Sequence, residues 1–172
     1  RTLFAATGGG LYRSTDGGAS WSWAGRLYSG PPGSIAAVAV APDFATSGHV
    51  MATSGWSGLY ISQNGGIDWT RRLTVSATSA LAYSPDFETD GTAFAGGWDL
   101  WRTVDGGGAW TTVLTESVST VAVSPRYASD RTVYAGAGAL YISDDGGRAG
   151  SASLCPRRRC GSMPWRSRRP LT

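Results

Sequence analysis

The chain contains no lysine, a single histidine (His49), and two cysteines that both lie past residue 150. Charged residues make up 16% of it. No apolar run approaches the ~20 residues that a membrane-spanning helix requires. These shortages exclude a lysine-rich nucleic-acid surface and a disulfide framework in the first 150 residues. Cys155 and Cys160 have no His or second Cys pair nearby and do not form a zinc-ligand pattern. No phosphate loop, nucleophile elbow or metal-ligand cluster can be found, so neither cofactor nor metal is expected.

Charge is segregated. Residues 1–147 carry 8 Arg against 12 acidic residues, a net of −4, while residues 148–172 carry 7 Arg and no acid. The formal charge of +3 and the basic pI therefore describe the tail. No aromatic interleaving or amphipathic period accompanies Arg157, Arg158 and Arg159, which argues against nucleic-acid or membrane-surface binding.

What is abundant is glycine, 25 residues, and tryptophan, 8. Both recur in register. LYRSTDGGASW (11–21), LYISQNGGIDW (59–69), LWRTVDGGGAW (100–110) and LYISDDGGRAG (140–150) repeat at steps of 48, 41 and 40 residues. Each follows a short β-rich run, at 2–7, 50–55, 92–97 and 132–137. Another run precedes three of these, at 35–44, 79–87 and 119–127, and a further one follows each Trp, as at 111–116. Four short strands per unit of about 40–45 residues predict a β-propeller blade, since one such sheet buries its faces only by stacking on its neighbours. With strands A to D counted from the centre outward, the blades span 1–33 (no strand A), 34–75, 76–116 and 117–147 (no strand D). The expected fold is all-β: an incomplete propeller of about three and a half four-stranded blades, an open arc, with a disordered tail. Its two end faces call for further blades of a longer parent chain.

The C–D turn has a physical logic of its own. Asp16 can accept N–H bonds from its own turn, the glycines supply positive φ, the Ser hydroxyl bonds locally to backbone, and the Trp packs on the hairpin. The pattern S-x-D-x-G-x-x-W resembles the Asp-box, or BNR repeat, of sialidase-like propellers. It is carried by Ser14, Asp16, Gly18 and Trp21; by Ser62, Asn64, Gly66 and Trp69; by Thr103, Asp105, Gly107 and Trp110; and by Ser143, Asp145 and Gly147. Asn64 and Thr103 are mild departures. The resemblance implies a fold rather than an activity, a secreted or cell-surface bacterial protein, and boxes lying away from the ligand face.

The expected ligand face carries the B–C and D–A loops. Trp56 and Trp98 occupy equivalent B–C positions and could stack on sugar rings, or pack between blades. Asp99 could bond a hydroxyl, and Arg71 and Arg72, near a D–A loop, could meet an anion or simply be solvated. The long D–A connection at 28–33 could rim a site. A sialidase-like enzyme needs an arginine cluster and a Tyr nucleophile with a Glu base. Glu88 lies in a PDF turn at the opposite end, and Glu116 has no Tyr partner evident from sequence, so no catalytic residue is assigned. The reading is a non-catalytic scaffold or binding fragment for a glycan or protein partner. The alternatives are a fragment of an exo-glycosidase with its catalytic residues in absent blades, or an assembly factor of the BNR type.

The fourth repeat stops at Gly150, where the pattern demands Trp. Joining the last base of each codon to the first two of the next lets Trp-Gln-Arg-Leu lie beneath 149–153 and Ala-Val-Ala-Val-Ser-Pro beneath 163–169, which are the next two repeat elements in order. Residues from 148 onward are therefore expected to be an out-of-frame translation, the alternative being a genuine basic tail. The coding DNA checks this. The shifted frame should stay open and encode those residues, and an early stop codon there would end the idea.

Overall fold

The computed structural model describes residues 1–24, 27, 34–54, 57–74, 78–148 and the strand backbone of 166–168. It divides into two units, Arg1–Ser79 and Ala80–Thr172, each holding two antiparallel sheets. In the first unit, β1 (Leu3–Thr7), β2 (Gly10–Ser14) and β3 (Ser22–Trp23) form a three-stranded sheet. β4 (Ile35–Val40), β5 (Val50–Ser54), β6 (Gly58–Ser62) and β7 (Thr70–Leu73) form a four-stranded one. In the second unit, β8 (Ala80–Tyr83), β9 (Ala93–Gly96), β10 (Leu100–Thr103) and β11 (Thr111–Leu114) make the third sheet. β12 (Thr120–Val123), β13 (Val133–Gly136), β14 (Leu140–Ser143) and β15 (Arg166–Arg168) make the fourth. Strands are ordered as in the chain, so each sheet is an up-and-down blade.

The first sheet lacks an inner strand, as expected. The expectation that the fourth sheet lacks an outer strand is corrected: β15 pairs antiparallel with β14, Ile142 opposite Arg166 and Leu140 opposite Arg168. The physical reason is that β14 presents an open row of N–H and C=O groups, and backbone pairing is indifferent to which side chains the pairing segment carries. The other outer strands follow their turns directly, at Ser22, Thr70 and Thr111, whereas β15 begins at Arg166.

The C–D turns carry the predicted bonding, with the hydroxyl at the hub. Ser14 Oγ donates to Asp16 Oδ1 at 2.7 Å and accepts from Gly18 N–H at 2.8 Å. Ser62 Oγ does the same with Asn64 (3.0 Å) and Gly66 (2.8 Å), Thr103 Oγ1 with Asp105 (2.7 Å) and Gly107 (3.0 Å), and Ser143 Oγ with Asp145 (2.6 Å) and Gly147 (2.8 Å). All four hydroxyl residues are buried. The acidic residue then caps the far side of the turn: Asp16 accepts from Ser20 N–H at 3.0 Å and Asp105 from Gly108 N–H at 2.9 Å. Asn64 fills the role with its amide oxygen, taking the Asp68 N–H at 2.9 Å, while its Nδ2 donates to Asp68 Oδ2 at 2.8 Å. These hydrogen bonds, first those from Ser20 to Asp16 and from Thr103 to Asp105, hold both carboxyls below the usual carboxylate range.

Sequence reading did not find the three one-turn helices at the A–B connections: α1 (Phe44–Ser47), α2 (Phe87–Asp90) and α3 (Tyr127–Asp130). Two of them share a side-chain clasp. Ser84 Oγ accepts the Asp86 N–H at 3.2 Å and donates to Asp90 Oδ2 at 2.7 Å, and Asp90 Oδ1 takes the Thr92 N–H at 2.8 Å. Ser124, Arg126, Asp130 and Thr132 repeat it at 3.1, 2.7 and 2.9 Å. Every helix ends on a left-handed residue: Gly48, Gly91 and, with a full side chain, Arg131 at φ 51. The Arg131 guanidinium lies over the Tyr127 ring, 5.4 Å from its centre, a cation–π contact that offsets part of the backbone cost.

That left-handed end aims a carbonyl at the C–D turn of the same blade. Gly48 O accepts the Gly65 N–H at 2.9 Å, Gly91 O that of Gly106 at 3.1 Å, and Arg131 O that of Gly146 at 2.8 Å. Arg1 O accepts the Gly17 N–H at 3.0 Å in the first blade. In the second, third and fourth sheets, both connections at one end are thus tied together by one backbone bond.

Side chains alternate across each strand, so each sheet has two faces. Within the second unit, Phe94, Leu100, Leu114 and Val118 of the third sheet and its exit loop pack against Tyr127, Val133, Ala135 and Tyr141 of the fourth blade. Phe94 meets Tyr127 edge to face at 6.5 Å, and the Tyr127 hydroxyl donates to Gly146 O at 3.0 Å. Within the first unit, Leu11 and Phe4 pack on Ile35, Ala52 and Tyr60, and Phe4 meets Phe44 edge to face at 5.9 Å. Trp69 Nε1 donates to Ala24 O at 2.7 Å, tying the first two blades together.

Two turn glycines separate backbone strain from packing. Gly17 (φ +79) faces open space, whereas a Cβ on Gly66 (φ +85) would sit 2.5 Å from a Phe4 ring carbon. Gly17→Ala is expected to lose about 1–2 kcal/mol from the left-handed backbone. Gly66→Ala should lose a further ~1–3 kcal/mol by overpacking. Chemical denaturation of both variants checks this, and equal losses would contradict it.

Candidate functional site

The strands of the third sheet run so that the B–C loop (97–99) and the D–A loop (115–119) share one end, while α2 and the glycine turn share the other. The two loops at the first end are joined: Val118 N–H donates to Gly97 O at 2.7 Å, and Gly97 N–H to Asp99 O at 2.9 Å. Trp98 is 70% exposed, beside the half-buried Asp99, so it does not take the alternative position packed between blades.

The D–A loop adds an acid that sequence reading undervalued. Glu116 is exposed and interacts with the hydroxyl of Tyr141, at the start of β14 in the next blade. The expectation that Glu116 has no tyrosine partner is thus corrected. Burial first, and then the Glu116 charge and hydrogen bond, push the Tyr141 phenol above its ordinary range. Tyr141 occupies the same register position as Tyr60 and Trp101, opposite the alanine of strand B. A repeated aromatic at an inter-sheet position would have drawn attention to Tyr141, but its partnership with Glu116 depends on a loop from another blade.

Arg71 and Arg72 lie within β7, in the other unit, and both are exposed. Trp56, the connection at 28–33, and Cys155 and Cys160 lie outside the described residues. Glu88 lies in α2 at the opposite end, as expected. His49 is half-buried, and burial pushes its imidazole below the ordinary value. Among the described residues, no group of three or more His, Cys, Asp or Glu could hold a metal, and no helix is long and apolar enough to cross a membrane.

The rim thus offers an exposed aromatic plane and two carboxylates at one end of an up-and-down sheet. Solved structures share this architecture. The chain superposes on an ancestral GH74 enzyme with a TM-score of 0.71 at 23% identity, covering 90% of this chain and 22% of that one. It superposes on the GH74 enzyme of Niastella koreensis with a TM-score of 0.69 at 19% identity, covering 86% and 27%. A chain of a nidogen/laminin complex gives 0.64 at 9% identity, covering 84% and 57%. The fold is a partial β-propeller. The propeller chains it resembles include enzymes and a chain from a protein–protein complex, so the likeness fixes architecture and leaves the activity open. The chain spans only about a quarter of the length of the two GH74 enzymes. No protein-family model and no curated protein matches it.

Proposed function

We propose that this stretch of propeller is a non-catalytic binding scaffold that recognises glycans through its B–C and D–A loop end. The observation that carries the reading is Trp98, an indole 70% exposed at the tip of a short, internally bonded loop, with Asp99 beside it. A flat apolar ring next to a hydrogen-bond acceptor suits the face and hydroxyls of a sugar.

Catalysis by these residues has little support. The rim's tyrosine is buried in an inter-sheet contact, and the described rim carries no arginine. The box pattern at Ser14, Ser62, Thr103 and Ser143 supports membership of the Asp-box group and explains the end opposite the rim, where it closes turns. A second reading is favoured by the GH74 likeness: a piece of a glycoside hydrolase in which this segment positions substrate and blades outside it carry the chemistry.

A glycan array probed with the protein, followed by titration of any hit, tests the proposal. Trp98→Ala is expected to weaken binding about five- to tenfold, the scale of one aromatic stacking contact, without changing the melting temperature. Binding that survives the substitution intact, or no glycan binding at all, would overturn it.

A further inference from the structure

Three boxes carry an acid after the hydroxyl, at Asp16, Asp105 and Asp145, while the second blade carries Asn64, the only asparagine of the chain, followed by Gly65. Asparagine before glycine is chemically labile. Glycine has no side chain to hinder its own backbone nitrogen from attacking the asparagine amide carbon. The Asp-Gly pairs of the other boxes have no amide to expel, and an ionised carboxylate resists attack.

The fold restrains both reacting groups of this pair. Gly65 is buried, and its N–H donates to Gly48 O at 2.9 Å. Asn64 Oδ1 accepts from Ser62 Oγ at 3.0 Å, from Ile67 N–H at 3.2 Å and from Asp68 N–H at 2.9 Å. Its Nδ2 donates to Asp68 Oδ2 at 2.8 Å. The nucleophile is thus engaged by the A–B connection, and the amide it would attack is pinned across the turn. Asn64 itself is exposed, so water has access to it. Asp68 also accounts for the amide at this position. The corresponding residues of the first and third boxes are Ser20 and Ala109, so only here would a second carboxylate face an acid.

We propose that Asn64-Gly65 is a deamidation site latched by the Gly48–Gly65 bond, reacting when the two connections of the second blade part. Gly65 nitrogen then gives its proton to solvent and bonds to Asn64 Cγ. The Cγ–Nδ2 bond breaks, the nitrogen leaves as ammonia, and a succinimide ring remains. Water opens the ring at one carbonyl or the other, leaving aspartate or isoaspartate at position 64. Neither product restores the latch. Aspartate sets its carboxylate against that of Asp68, and isoaspartate adds a methylene to the main chain, which moves Gly65 N–H off Gly48 O. A transient opening of the blade is thereby recorded as a permanent one.

Peptide mapping by mass spectrometry, after incubation of the full chain in mildly alkaline buffer, reads the conversion at position 64. Folded wild type is expected to convert at least about tenfold more slowly than the same chain in guanidinium chloride, the scale of the hydrogen bonds that must first break. Gly48→Ala strains a left-handed residue and sets a Cβ 2.9 Å from Gly65 nitrogen. It is expected to speed conversion about tenfold while a cooperative melt shows the protein folded. Gly91→Ala makes the same clash with Gly106 in the third blade and is expected to leave the rate at position 64 unchanged. Converted chains, separated by ion exchange, are expected to melt below unconverted ones. Equal rates in folded and unfolded wild type would overturn the proposal. So would a folded Gly48→Ala that converts no faster than wild type, equal acceleration by Gly91→Ala, or converted chains that melt with the rest. Should Gly48→Ala fail to fold, the wild-type comparison and the melting of converted chains decide.

Discussion

One backbone hydrogen bond, made four times, organises this molecule. A carbonyl at the end of each A–B connection, or at Arg1 where the first blade has no such connection, accepts the N–H of the first glycine in the following C–D turn. In the three blades with an A–B connection, the bond joins two left-handed conformations, the residue ending the short helix and the glycine opening the turn. The buried Ser or Thr hydroxyl makes the second conformation affordable, because it satisfies the next glycine's N–H while donating to the acid. A Cβ at Gly48 or Gly91 would stand 2.9 Å from the partner nitrogen. Arg131 shows the limit of that constraint: it keeps the bond and lays its side chain over Tyr127.

Much of this was legible in the sequence because its causes are local. The turn motif names its hydroxyl, acceptor and glycines within eight residues, and the structure bears out each of those bonds. Blade order followed from the repeat period. The one-turn helices were not legible, since Pro85-Asp86-Phe87 reads as a turn and its clasp from Ser84 to Asp90 spans six residues of ordinary composition. Strand β15 was not legible either, because an open edge accepts any extended backbone and no side-chain pattern announces it. At the site, Trp98 and Asp99 were visible as an aromatic and an acid in a short loop. Glu116 was seen, but its partner Tyr141 belongs to the next blade, and contacts between repeats depend on how sheets stack.

The division of labour between the two ends of the sheets follows from these bonds. At the end of the glycine turns, the box hydroxyls, their Asp or Asn partners and the glycine N–H groups bond to one another within the blade. At the other end of the third sheet, the B–C loop is short and carries an exposed indole and a half-buried Asp99, beside the exposed Glu116 of the D–A loop. A propeller repeat thus invests its stereochemical constraint at one end and leaves the other free to vary.

Native-state hydrogen exchange of four turn amides, those of Gly17, Gly65, Gly106 and Gly146, tests the central claim most directly. The account predicts that they exchange as slowly as central-strand amides such as those of Val50 and Ala93, although they lie in turns. Exchange as fast as that of an exposed loop amide such as Gly138 would show that the bond between the two connections does not hold the blade together.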